Sequence, residues 1–233
     1  ANVITNTIET AVAGSTLDTT AGGLSLTSES SAVIRALAVG VSGSGGVAVQ
    51  VTAMGNAIVN TVTARISGST VNTVGDVRLL AQDIAPSLIP TWMVPADKAD
   101  EVNDNLAGSP IDPDGNILAI MIGVAGTGGV AVNGVFSGNV IANSIRAEID
   151  SSTVHTTTGL VDLDTRSAAG IFAITVGVAG SGAVAVNATG FGNVITNTVA
   201  ASIKNASHVH AGGLIDLTAK DQSSIRSIAV SVA

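Results

Sequence analysis

Four strings in this chain are copies of one another: NVITNTIETAV (Asn2–Val12), NAIVNTVTARI (Asn56–Ile66), NVIANSIRAEI (Asn139–Ile149) and NVITNTVAASI (Asn193–Ile203). In each, mainly apolar residues alternate, as in Ile58, Asn60, Val62, Ala64 and Ile66, with Val59, Thr61, Thr63 and Arg65 in the other phase. A period of two sends one set to each face of a β-strand. The copies start 54, 83 and 54 residues apart. A second block keeps the same register: IRALAVGVSGSGGVAV from Ile34, ILAIMIGVAGTGGVAV from Ile117, IFAITVGVAGSGAVAV from Ile171 and a shortened IRSIAVSVA from Ile225. A third reads GLSL, DVRL, LVDL and LIDL around Leu24, Val77, Val161 and Ile215. The chain is one unit repeated almost four times, over about 2–55, 56–138, 139–192 and 193–233.

Such a unit, made of short strands that cannot bury their own face, predicts an all-β protein of one domain. The expected architecture is a β-solenoid, or parallel β-helix, whose coils stack ~4.8 Å apart. At roughly 18–27 residues per coil, each repeat would make two or three of them, a number that the sequence does not fix, nor the handedness. The long second spacing arises because that copy is one residue shorter in Ser69–Gly75 and carries 30 extra residues at about 84–113. The insertion holds all five prolines and the only tryptophan. Proline cannot donate to a β ladder, so its confinement there marks the rest as continuous sheet.

The composition fits a stacked sheet. Of 233 residues, 46% are hydrophobic, yet aromatics are 2% and Gly numbers 27. Charged residues are 11%, against ~25% in ordinary globular chains. Nine basic residues against seventeen acidic ones leave a net charge of −8 and no basic stripe, which excludes a nucleic-acid partner. Without cysteine there is no disulfide, thiolate metal site or cysteine nucleophile. The chain starts and stops within a repeat, with neither a polar cap nor a sorting signal. A segment of a longer chain, or a protomer that stacks end to end, is therefore expected.

Three features stand out as candidate sites. Asn6, Asn60, Asn143 and Asn197 share one inward column and predict a structural ladder of stacked amides. Gly40, Gly123 and Gly177 recur where large branched residues alternate with Ala or Gly. Their nearly flat face predicts a close packing interface, within the chain or between chains, and the branched face can fill the core. In the insertion, Pro86, Pro90 and Pro95 predict a stiff arm carrying Leu88, Ile89, Trp92, Met93 and Val94. Trp92 and Met93 are its expected interface anchors, unless the arm folds down onto its own shaft. The following ADKADEVNDNLAG (96–108) predicts a short helix with Ala99, Val102 and Leu106 on one face and Gly108 as its stop. Ile117–Phe136 is uncharged for twenty residues, but its Gly-Thr-Gly-Gly centre and period-2 alternation make strands, not a transmembrane segment.

The remaining chemistry is sparse. His155 and His210 share a column with Asp18 and Asn72, an outward polar position. His208 and His210 lie on one face of a strand, with no third metal ligand at a suitable spacing. Asp162, Asp164 and Asp216 resemble the acids of a glycan-cleaving β-helix, but the column of Asp162 and Asp216 also holds Ser25 and Arg78. Asp112-Pro113-Asp114-Gly115-Asn116 resembles the start of a Ca²⁺ loop, with Asp112 and Asp114 as ligands. It lacks the trailing Glu and most of the ligand count, which favours an Asp/Gly turn returning the insertion to the solenoid. No other cofactor and no catalytic residue are expected. The runs GSGG, GTGG and GSGA lack a P-loop lysine and are turns.

The units ASHVHAGGLIDLTAKDQSSI, STVHTTTGLVDLDTRSAAGI and STLDTTAGGLSLTSESSAVI resemble repeats of filamentous-haemagglutinin-like and leukotoxin-like giant exoproteins of Gram-negative bacteria. The block VAGSGAVAVN…GNVITNTV is similar to the one that alternates with them. The resemblance implies a secreted β-solenoid at the bacterial cell surface, acting as adhesin or fibre and meeting a host-cell or matrix surface. The expected function is thus a non-catalytic extracellular fibre or adhesin shaft. It would self-associate through apolar Gly/Ala/Val faces and by end-to-end stacking into a homo-polymer. A glycan-acting enzyme and a water-ordering surface, with outward Thr5/Thr7 and Thr196/Thr198, are the alternatives.

Overall fold

A computed structural model describes residues 1–89, 98–106 and 114–233. The protein is all-β, with parallel strands in four stacked sheets; one short helix, α1 (Ala99–Leu106), lies in the insertion at the predicted place. Gly108, its predicted stop, lies outside the described residues, as does the arm from 90 to 97.

One layer shows the course of all. Val130–Ile141 and Ser144–Asp150 lie in sheet A, Thr153–Thr156 in sheet B, Val161–Ser167 in sheet C and Gly170–Ser181 in sheet D. A Gly-rich turn then leads into Val184–Ile195, the sheet A strand of the next layer. Neighbouring layers pair in parallel at the register of the repeat: Asn2 opposite Asn56, Asn56 opposite Asn139 and Asn139 opposite Asn193. One repeat is therefore one layer, not the two or three coils expected. The expectation rested on a coil of roughly 18–27 residues, whereas the strand Val47–Ser67 alone runs straight through Gly55 for 21 residues. Long strands use up the repeat in a single circuit.

The core divides by chemistry. Val62, Ala64 and Ile66 of sheet A meet Val71 of sheet B and Val77, Leu79 and Ala81 of sheet C, all buried. Ile58, Ile117, Ala119, Ile141 and Ile171 fill the middle. Beyond them, sheet D and the first half of sheet A lie face to face as a thin arm. Its far core is only Ala125, Ala131 and Ala179. Here the branched residues do not fill the interior. Ala119, Met121 and Ala125 are buried, while Leu118, Ile120, Ile122 and Val124 are turned outward. No charged residue occurs in 36–64, 117–145 or 167–203; the charges of sheet D are Arg35 and Arg226, each at the start of its strand.

Candidate functional site

The arm's inner faces explain the recurring glycines. Asn133 Nδ2 donates to the Gly123 carbonyl at 2.9 Å, and Asn187 Nδ2 to the Gly177 carbonyl at 2.6 Å. Asn133 also donates to Asn187 Oδ1 at 2.9 Å, which ties adjacent layers. A Cβ on Gly123 would stand 2.4 Å from Val135 Cγ2 and 2.7 Å from Asn133 Oδ1; one on Gly177 would stand 2.6 Å from Asn187 Oδ1. A Cβ on Gly40 would likewise overlap the Gln50 and Thr52 side chains. The flat face of Gly40, Gly123 and Gly177 thus packs on sheet A of its own chain. The signal was the polar residue closing each VAVN or VAVQ run, at Gln50, Asn133 and Asn187.

The asparagine column read from sequence is inward, with Asn60 and Asn143 buried, but it is not a ladder of amides. The Asn60 N–H donates to Asn143 Oδ1 at 3.0 Å and the Asn143 N–H to Asn197 Oδ1 at 3.1 Å. The side-chain NH₂ groups turn sideways to Ser30, Asp83, Ser167 and Ser223. Asn6, in the first layer, is exposed. Amide-on-amide bonding occurs four residues earlier. Asn2 donates to Asn56, Asn56 to Asn139 and Asn139 to Asn193, at 2.8, 2.8 and 2.7 Å. The repeat is the reason: with one layer per repeat, identical residues sit directly above one another.

Asp83 is the one buried carboxylate of this polar seam, 1% exposed. Its column holds Ser30, Ser167 and Asp221. Burial pushes its pKa up from 3.8 to about 6, against hydrogen bonds from Ser30 and Asn143 that pull it down. Asp83 Oδ1 and Asn60 Oδ1 are both buried without a hydrogen-bond partner. A proton on Asp83 relieves this excess of acceptors. The folded state therefore binds that proton more tightly than the unfolded chain, and ionisation above about pH 6 weakens the fold. Its contribution is most favourable below 3.8 and is lost as pH rises through about 6. We expect Asp83→Asn to gain about 2–3 kcal/mol over the parent at pH 8 and little at pH 4. Urea unfolding of both proteins at the two pH values measures this, and an equal difference at both would contradict it.

The insertion leaves and rejoins the layers at a closed joint. Arg35 donates to the carbonyls of Leu88 (2.9 Å) and Ser87 (2.7 Å), and Leu88 is 2% exposed. The beginning of the insertion thus folds onto the layers. Asn116, fully buried, closes the gap: its Nδ2 donates to the carbonyls of Ala32 and Ile84, and its Oδ1 accepts from the Gly170 N–H at 3.0 Å. One amide joins three layers here, where the sequence showed only a turn. Trp92, Met93 and Asp112 lie outside the described residues. Asp114 forms an isolated antiparallel bridge with Ser87.

The His and Asp candidates of the repeat lie on outer faces. The His155 and His210 rings stack 5.0 Å apart in adjacent layers, above Asn72 and Asp18 in the same column. Asp164 pairs with Arg166, and Asp162 stands between Arg78 and Asp216 in its column. Burial, then the nearby Asp164 and Asp216, raise the Asp162 pKa. Among the described residues no three His, Asp or Glu side chains are grouped to hold a metal ion. No described helix is long and apolar enough to cross a membrane. No family model, curated protein or solved structure matches the chain.

Proposed function

We propose that this chain is a β-solenoid structural protein, a segment of an extracellular fibre or adhesin shaft at a bacterial surface, without catalysis. The observation that carries the reading is the layer-by-layer register, in which successive layers pair column on column at the repeat and side-chain amides bind each layer to the next. Such a stack propagates without limit, because each layer offers its successor the same ladder. Its outward carboxylates Asp164 and Glu148 are paired with Arg166 and Lys204, so their charges are met by ion pairs within the chain. With one layer per repeat, the rise is ~4.8 Å per repeat. A shaft of this kind gains width faster than length, and broad faces are what it offers to partners. Because the glycines face inward, self-association uses the outward branched residues instead.

Fibre diffraction of the concentrated, aligned protein tests this reading. End-to-end stacking predicts a meridional reflection near 4.8 Å together with filaments in electron micrographs. Discrete particles lacking axial order, or cleavage of an acidic polysaccharide with loss on Asp162→Asn, would count against it.

A further inference from the structure

We infer that the outer face of sheet A's uncharged half pairs with the same face of a second copy of this chain, to give a two-fold dimer. The inference takes from the structural reading only the stacking of the layers. Outward along the strand Val47–Ser67 stand Val47, Val49, Val51, Ala53, Gly55, Ala57 and Val59, with no charge before Arg65. The columns continue into Val130, Val132, Gly134, Phe136, Gly138 and Val140, then Val184, Val186, Ala188, Gly190, Gly192 and Val194. Val49 and Val51 are 60% and 67% exposed, and Phe136 is 47% exposed. Seven outward positions span about 40 Å and the three strands that share them about 10–14 Å, so the face covers roughly 400–580 Å². Two copies would together bury roughly 800–1,150 Å², about the ~1,000 Å² at which a specific interface begins, on a face at the upper end of what a monomer leaves as one apolar patch.

The relief of the face points to an identical partner. The Phe136 ring lies across the Gly134 and Gly190 positions, 3.2 and 3.3 Å from where their Cβ atoms would be, and stands as a ridge. Two residues along, the column of Gly55, Gly138 and Gly192 is a furrow: nothing lies within 4 Å of a Cβ on Gly138 or Gly192. Ridge and furrow are adjacent on one surface, so a two-fold axis between them seats each copy's Phe136 in the other's furrow. The boundary is chemical as well. Beyond Thr61 and Ser144 the same outer face carries the charged Arg65, Arg146 and Glu148.

Sedimentation velocity over a hundredfold concentration range tests the pairing. The parent's smallest species, at the lowest concentrations, should sediment at twice the chain mass, and larger stacks at even multiples of it. Phe136→Asp should weaken association at least tenfold, and Gly138→Leu, which fills the furrow without adding charge, should weaken it too. Both variants should keep the parent's far-UV circular dichroism, since both positions face outward. A parent that stays monomeric, variants that dimerise as the parent does, or a monomer that instead co-sediments with phosphatidylcholine vesicles would overturn the inference. The layer spacing read by spin labels, below, is indifferent to dimerisation, so failure here and failure of the stacked-layer reading are separately visible.

Discussion

Asn116→Ala is expected to destabilise the protein by about 3–5 kcal/mol, the largest loss from removing any one side-chain amide. The substitution removes a buried acceptor from the Gly170 N–H and donors from the carbonyls of Ala32 and Ile84. Each buried polar group left without its partner costs about 1–3 kcal/mol, and the site is fully enclosed, so water cannot replace the amide. Asn116→Asp keeps the acceptor and loses both donors, so it should rescue little while adding a buried charge. Urea unfolding monitored by circular dichroism measures the loss. A cost below 1 kcal/mol for the alanine variant would mean that the joint is held by the ladder alone.

Gly123→Glu should be more damaging still, exceeding about 4 kcal/mol, because it combines overpacking with a buried charge. The new Cβ falls within 2.7 Å of Val135, Asn133 and Gln50, and its carboxylate meets two acceptors, Asn133 Oδ1 and Gln50 Oε1. Gly123→Ala keeps the steric part alone and should cost about 1–3 kcal/mol. The damage should be local at first. The arm has a far core of only three alanines, whereas sheets B and C enclose Val71, Leu79, Val154 and Leu163. Hydrogen exchange should therefore show the strands Ile117–Thr127 and Val130–Ile141 losing protection in Gly123→Ala while Val161–Ser167 keeps it. Uniform loss of protection would contradict the division of the core.

The architecture was legible where the sequence repeats. Period-2 alternation in Ile58–Ile66 placed the strand faces correctly, and the confinement of proline marked the insertion. The coil count was not legible, because periodicity cannot say whether Gly55 turns the chain or lets a long strand pass. Nor was the facing of the Gly-rich block. Alternation of Val with Gly gives two faces, and burying the smaller one depends on Asn133 and Asn187 reaching the glycine carbonyls across the arm. Asp83 gave no sign, since its column otherwise holds Ser and an exposed Asp221. Asn116 was read only as part of a turn, because its three partners come from sites far apart in sequence.

One repeat per layer is the claim on which the shaft, the ladders and the pairing face all depend. Thr7, Thr61, Ser144 and Thr198 form one outward column, so nitroxide labels at Thr7→Cys and Thr198→Cys sit three layers apart without touching the core. Their separation, measured by electron paramagnetic resonance in protein diluted with unlabelled chain, should centre near 14 Å, three spacings of ~4.8 Å. A separation of roughly 29–43 Å, which two or three coils per repeat would give, contradicts the account.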